Sequence, residues 1–317
     1  MALYHRNFLE MKDVTAEELR TILRAAAELK KLQKAGKPHK VLEGKALAMI
    51  FEKHSTRTRV SFETGMYQLG GHALYLSSDM IQMGRGESVE DTAKVLSRMV
   101  DCILARTNSH ATITELAKYS SVPVINALSD FEHPCQILAD LLTVQEEKGR
   151  LEGLKLAYIG DGNNVANSLL QGCVKAGMRI ALACPEGFWP DATILKHAEK
   201  EGDVKVVGSP AEAAKDADVL YTDVWVSMGQ EEETQKRAKA FAGFQINEEL
   251  VKKAKPDCIV LHDLPAHYGE EITKDVAYGK QSRIFQQAEN RLHGQKGLLA
   301  LLLNQEFEAS MRASVKN

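Results

Sequence analysis

Ser55-Thr56-Arg57-Thr58-Arg59 stands just after the apolar run ALAMIF (46–51) and opens a helical pattern. Serine is a favoured N-cap, and the backbone N–H groups of a first turn have no intrahelical acceptor. Those N–H groups, the positive end of the helix dipole and a guanidinium together hold an anion, phosphate above all. The string is not a P-loop, because the glycines and the G-K-[ST] ending are missing. Arg57 and Arg59 are two apart and point to opposite sides of a helix, so Arg57 is the expected ligand and Arg59 the structural one. By itself the string also fits an ordinary capped helix with surface arginines. Two more strand-to-helix junctions add weight. Arg106 closes CILAR (102–106), and His133-Pro134-Cys135-Gln136 opens another helix, with Pro134 suited to the first helical position. His133 and Gln136, three apart, share a face there, although a histidine at a helix start also serves simply as a cap. Three junctions presenting donors argue for one anion site.

A second group of residues suits an amino-acid head. Asp161-Gly162-Asn163-Asn164 follows LKLAYIG (154–160), but a dinucleotide fingerprint needs glycine where Val165 stands. The next strand, RIALAC (179–184), ends in Cys184-Pro185 rather than a ribose-binding acid. The asparagines therefore suit a carboxylate or amide. Asp223 ends DVLYTD (218–223) and leads into a loop with Ser227, Met228 and Gly229. Its carboxylate can take an ammonium while loop N–H groups take a carboxylate; a helix N-cap before a solvated acidic run fits equally well. Gly229 and that acidic run also suit a mobile loop. CIVLHD (258–263) leads into His262-Asp263-Leu264-Pro265-Ala266-His267. With no H-x-x-x-H spacing and no cysteine partner, no metal is expected there.

These positions need strand ends to carry them, and the chain alternates strands and helices. Strands are expected at 46–51, 72–77, 102–106, 122–127, 154–160, 179–184, 204–208, 218–223 and 258–263. Helices are expected over 17–32, 56–69, 89–99, 134–147 and, in one long run, 287–311. The pattern predicts two doubly wound parallel-sheet α/β domains, with the active site in the interdomain cleft at the carboxyl ends of strands. The boundaries fall at 1–147 and 148–289, with a linker at KGRLEGLK (148–155) and a C-terminal helix, about 290–317, packing back on the first domain.

The chain has 317 residues, 44% hydrophobic, a net charge of −3 and a pI near 6.4. That balance argues against a nucleic-acid partner, which calls for a basic stripe. The five cysteines form no C-x-x-C pair, in keeping with a reducing compartment and no structural zinc. The charged start MALYHRNFLEMKD has no apolar core of a signal peptide, and LLALLL (298–303) is too short to span a membrane. A cytoplasmic protein is expected.

FEKHSTRTR, MGRGESVEDTAKVLSRMVD, HPCQ, GDGNN, TDVWVSMG, HDLPAH and AENRLH occur in this order along nearly the whole chain. Together they resemble the transcarbamylase family, in its ornithine branch. The resemblance implies carbamoyl phosphate bound by Ser55, Thr56, Arg57, Thr58, Arg106, His133, Gln136 and Arg291. Leu264 would offer its carbonyl to the carbamoyl amide, and the Leu264–Pro265 bond would be cis. Gln82 would reach the phosphate of a neighbouring subunit, which implies a homotrimer with shared sites. Asn164, Asp223, Ser227 and Met228 would bind L-ornithine. Two positions depart from the family pattern: Asp263 stands where a cysteine is usual beside the reacting amine, and Cys135 where threonine is common.

The chemistry implied is acyl transfer to an amine, with Arg106, His133 and Asp263 as catalytic groups and no cofactor. Thr58, Arg106 and His133 would polarise the carbonyl, and Asp263 would accept the amine's proton or relay it to phosphate. Other readings stay open: transfer to another amine such as putrescine, a nucleotide-dependent dehydrogenase, or a carbamoyl phosphate binder weakened by Asp263.

Overall fold

The computed structural model describes residues 2–226 and 233–313. The chain divides into two compact units, Met1–Leu142 with Glu289–Asn317, and Thr143–Ala288.

The first unit holds a four-stranded parallel sheet, β1 (Ala46–Phe51), β2 (His72–Ser77), β3 (Cys102–Arg106) and β4 (Val124–Leu128), in the order β2-β1-β3-β4. Strands β1, β3 and β4 are almost wholly buried, as continuous apolar runs in a doubly covered sheet should be; edge strand β2 is partly exposed. Around them run α1 (Ala16–Lys34), α2 (Thr56–Gln68), α3 (Val89–Leu96), α4 (His110–Tyr119) and α5 (Pro134–Lys148), the last continuing past Leu142. Each of α1 to α4 starts on a hydroxyl cap: Thr15, Ser55, Ser88 and Ser109. The chain leaves β1 for β2 at the edge, then crosses back to β3. The switch point of the sheet thus lies between β1 and β3, the strands that end at the Ser55–Thr58 turn and at Arg106.

The second unit repeats the device with five parallel strands: β5 (Lys155–Ile159), β6 (Arg179–Ala183), β7 (Val204–Val206), β8 (Val219–Thr222) and β9 (Ile259–His262), in the order β7-β6-β5-β8-β9. Helices α6 (Asn164–Lys175), α7 (Ala192–Glu201), α8 (Pro210–Ala214), α9 (Thr234–Ala240), α10 (Glu248–Val251) and α11 (Lys274–Ala277) connect them. The switch point here lies between β5 and β8, which end at the 161–164 turn and at Asp223.

The long C-terminal helix expected over 287–311 is instead two, α12 (Ile284–Leu303) and α13 (Gln305–Ala313). Asn304 divides them: its side chain accepts from Phe307 N–H at 2.9 Å and donates to the Val41 carbonyl at 2.6 Å. An asparagine that caps a new turn ends the old helix. The apolar 298–303 run is buried in the first unit, and among the described residues no helix is long and apolar enough to cross a membrane. All five cysteines are free thiols and buried.

Candidate active site in two half-sites

In the first unit, α2 begins directly after β1, and Ser55 Oγ caps it by accepting from Thr58 N–H at 3.2 Å. The Thr58 hydroxyl is fully buried and is the hub of the site. It receives the Ser55 hydroxyl at 3.0 Å, Arg291 Nη2 at 3.0 Å and, more loosely, Arg106 Nη1 at 3.5 Å. Arg291 is fixed further by Gln136, whose Oε1 accepts from Nη1 at 2.6 Å and whose Nε2 donates to Asp140 at 2.8 Å. Burial first, then the charges of Arg291, Arg106 and Arg57, push the His133 pKa well below its ordinary value. His133 is therefore neutral at physiological pH and donates as an imidazole. Three guanidiniums act on that one buried ring, and the Asp140 carboxylate is bonded into the set through Gln136. Such an excess of positive charge is balanced by a multiply charged anion.

Thr56 is the first residue of α2. Arg59 faces away, over the Tyr75 ring at 3.9 Å and paired with Glu63 at 3.0 Å. Gln82 begins a 3₁₀ turn, Gln82–Arg85, behind the edge strand and is exposed.

In the second unit, Asn163 links the 161–164 turn to Asp223. Its Oδ1 caps α6, accepting from Val165 and Ala166 N–H at 2.9 and 3.2 Å, while its Nδ2 donates to Asp223 Oδ2 at 2.6 Å. Asn164 is the first residue of α6. Burial first, then the neighbouring Asp263 carboxylate, push the Asp223 pKa well above the usual carboxylate range. A cation placed beside the two acids would offset that repulsion. Ser227 and Met228 lie outside the described residues.

Behind this acid pair sits His262, fully buried, with Nε2 3.0 Å from the equally buried Glu271. Burial pulls its pKa down, but Asp263 and Glu271 outweigh burial and hold it up at about 9. The contacts are nonetheless those of a neutral ring. Nδ1 accepts from Leu264 N–H at 2.9 Å, with Asp263 only at 3.5 Å, and a proton on Nδ1 would oppose that N–H. The neutral ring donating Nε2–H to Glu271 satisfies both nitrogens. The Leu264–Pro265 bond is cis, and Leu264 has a positive φ of 61°.

The ligand atoms of Asp223, His262 and Asp263 lie within 4.8 Å of one another, close enough to surround one cation. Both nitrogens of His262 are already engaged, so what remains is a pair of carboxylates, a better match to an ammonium than to a metal with an imidazole ligand.

Residues 6–146 match the carbamoyl phosphate-binding domain of the aspartate/ornithine carbamoyltransferases, and residues 152–302 match their aspartate/ornithine-binding domain. The chain is 56% identical over 308 residues to an ornithine carbamoyltransferase of Thermococcus kodakarensis, covering 96% of this chain and 98% of that one. The chain belongs to the aspartate/ornithine carbamoyltransferase family. Among solved structures, an ornithine carbamoyltransferase from Pyrococcus furiosus superposes with a TM-score of 0.93 at 54% identity, covering 96% of this chain and 99% of that one. The one from Thermus thermophilus gives 0.86 at 45%, covering 94% and 98%.

For a member of this family, the structure adds partners to the motif residues. Asn163 bears on Asp223, Glu271 on His262, and Asp140 on Gln136. Asn163 was readable as an N-cap, since it precedes the first apolar turn of α6. Glu271 lies nine residues beyond His262 on irregular chain, and no local spacing rule reaches it.

Proposed function

We propose that this chain transfers the carbamoyl group of carbamoyl phosphate to the side-chain amine of L-ornithine, giving L-citrulline and phosphate. The observation that carries the reading is the first half-site: Arg106 and Arg291 converging on Thr58 beside a neutral His133, in a chain whose relatives are ornithine carbamoyltransferases. In this assignment Ser55, Thr56, Arg57 and the α2 N-terminus hold the phosphate, together with Gln136 and Arg291. Thr58, Arg106 and His133 donate to the carbamoyl oxygen as it gains charge, and a well-placed donor of this kind contributes about 3–4 kcal/mol. A neutral imidazole suits that role because it donates without surrendering its proton. Leu264 offers its carbonyl to the carbamoyl amide. No proton on the carbamoyl group has to move before attack.

The amine must lose one. An alkylamine titrates near 10.4 and arrives protonated. Asp223, with Asn164, Ser227 and Met228, takes the amino-acid head group, and Asp263 receives one proton of the amine before attack; the second leaves as the C–N bond forms and is taken by the phosphate as its bond to the carbamoyl carbon breaks. The acid pair favours an ammonium-bearing acceptor over an alcohol or a carboxylate.

The same reading assigns Gln82 to the phosphate of a neighbouring subunit in a homotrimer. Its support is the exposed apolar side chains on the chain leading to that turn: Tyr67 on α2, Leu74 on β2 and Met80 two residues before Gln82. Tyr67 and Met80 are 80% and 78% exposed, so a subunit contact that covers both would remove apolar surface from water.

The test is product formation from carbamoyl phosphate with L-ornithine, putrescine and N-acetylornithine in parallel. Citrulline from ornithine alone is expected, and Arg291→Met should raise KM for carbamoyl phosphate at least about tenfold, ~1.4 kcal/mol. Equal turnover of putrescine would remove the amino-acid head group from the assignment of Asp223.

A further inference from the structure

Arg237, on α9, takes no part in the chemistry above, yet three strand-end segments of the second unit meet at its guanidinium. It is buried, at 6% exposure. Nη1 donates to Asp161 Oδ2 at 2.7 Å and to the Trp225 carbonyl at 2.9 Å, and Nε donates to Glu233 at 3.0 Å. The guanidinium also lies over the Phe188 ring, 4.9 Å from its centroid. Asp161 follows β5, Phe188 follows β6 and Trp225 follows β8, so one side chain ties the carboxyl ends of three strands.

We propose that Arg237 is a positioning residue for the amino-acid half-site: it holds the 161–164 turn and the 223–226 segment so that Asn163 and Asp223 meet. The inference rests on the ornithine reading of that half-site. Two routes lead from the guanidinium to Asp223. One runs through Asp161 and Gly162 to Asn163, whose Nδ2 donates to Asp223. The other runs through Trp225, two residues along the chain. The first route has little slack. Gly162 donates its N–H to the Phe188 carbonyl at 2.8 Å, and a Cβ on it would come within 2.2 Å of the Trp189–Pro190 peptide.

Charge makes the tie matter. Asp161 is buried; burial raises its pKa and Arg237 opposes that rise. Without the guanidinium, a buried carboxylate two residues from Asn163 has no cation and must move or take up a proton, and either change re-aims the turn. Lysine carries the charge but not the fork that serves Asp161, Trp225 and Glu233 together.

Steady-state kinetics with each substrate varied separately tests this, with Lys255→Met as a control. Lys255 pairs with the buried Asp218 at 2.7 Å in the same unit, just before β8 begins, so its loss removes a comparable ion pair at the opposite ends of the strands. Arg237→Met should raise KM for ornithine at least tenfold, leave KM for carbamoyl phosphate within twofold, and lower Tm. Arg237→Lys should be intermediate in KM and keep enough fold to be read if the Met variant does not. Lys255→Met should lower Tm and leave both KM values alone. An unchanged ornithine KM in both Arg237 variants overturns the inference. So does a parallel rise in both KM values, or a Lys255→Met that raises the ornithine KM as much, because each marks a merely structural pair. A parent that makes no citrulline sinks the functional reading and this inference with it; a parent that does, beside Arg237 variants of unchanged KM, sinks this inference alone.

Discussion

At the scale of single residues, the site is a contrast of protonation states produced by burial and neighbours. His133 is kept neutral among arginines, whereas burial and the Asp263 carboxylate raise the Asp223 pKa. The second has a consequence for stability. The folded chain retains on Asp223 a proton that the unfolded chain has released above about 4. Stability therefore falls as pH rises from that value through the folded pKa. Asp263→Asn removes one of the two opposed acids, and its amide can donate to Asp223. Unfolding followed thermally, without substrates, should show the variant melting higher than the parent at alkaline pH, by about 2–4 °C per kcal/mol relieved. Both should converge toward acid pH. A variant less stable at every pH would mean that the acid pair is not strained. The identity of these residues was legible because each stands at a strand end next to a helix start. Their protonation preferences were not, since they depend first on burial and then on charges the fold brings in, Arg291 beside His133 and Asp263 beside Asp223.

At the scale of elements, parallel strands read well as apolar runs between punctuating residues, and the expected runs at 46–51, 72–77 and 102–106 match β1, β2 and β3. Helix ends read less well. The break at Asn304 was hidden inside an apolar pattern that continues on both sides of it, because the decisive contact, to the Val41 carbonyl, is made across the unit. Helix α4 lies outside the expected helices, its start marked only by the Ser109 cap. Helix α12 hides a further feature, Lys296, which is fully buried and donates to Gln33 at 2.9 Å, Gln68 at 2.8 Å and His39 Nε2 at 3.2 Å. His39 Nδ1 lies 2.9 Å from the Lys37 carbonyl, so that nitrogen carries the proton and Nε2 is free to accept. Lysine 296 thereby ties α12 to α1 and α2 through neutral acceptors alone. Burial lowers its pKa from 10.5 to about 8. Between those values the unfolded chain binds more protons, so this contribution to stability rises with pH there, and the cost of the buried charge is fully present below about 8. Lys296→Met removes that dependence. The Tm of the variant minus that of the parent should fall as pH rises from about 8 to 10.5; a constant difference would place Lys296 in a more solvated setting than the structure shows.

At the scale of the whole molecule, the two units use one architecture twice, each placing its half-site at the switch point of a parallel sheet. This was the most legible level, because alternation of strand and helix admits few topologies. Assembly was not legible from pattern, since an apolar surface residue reads like a core one until the fold places it. The exposed Tyr67 and Met80 belong to the proposed trimer contact. Tyr67→Glu with Met80→Glu should convert trimer to monomer in light scattering and remove most activity by withdrawing Gln82 from the neighbouring site. A fully active monomer would confine each site to one chain.

In the proposed function, carbamoyl transfer to ornithine proceeds with Asp263 in the place of a thiol. The most direct measurement is the rate of citrulline formation from neutral to alkaline pH, for the parent and for Asp263→Cys. A carboxylate beside an ammonium stabilises its charged form and raises its pKa. The parent should make citrulline with a rate that climbs into the alkaline range, and the cysteine variant should reach its plateau at lower pH. No citrulline from the parent at any pH, with carbamoyl phosphate still bound, would contradict the account.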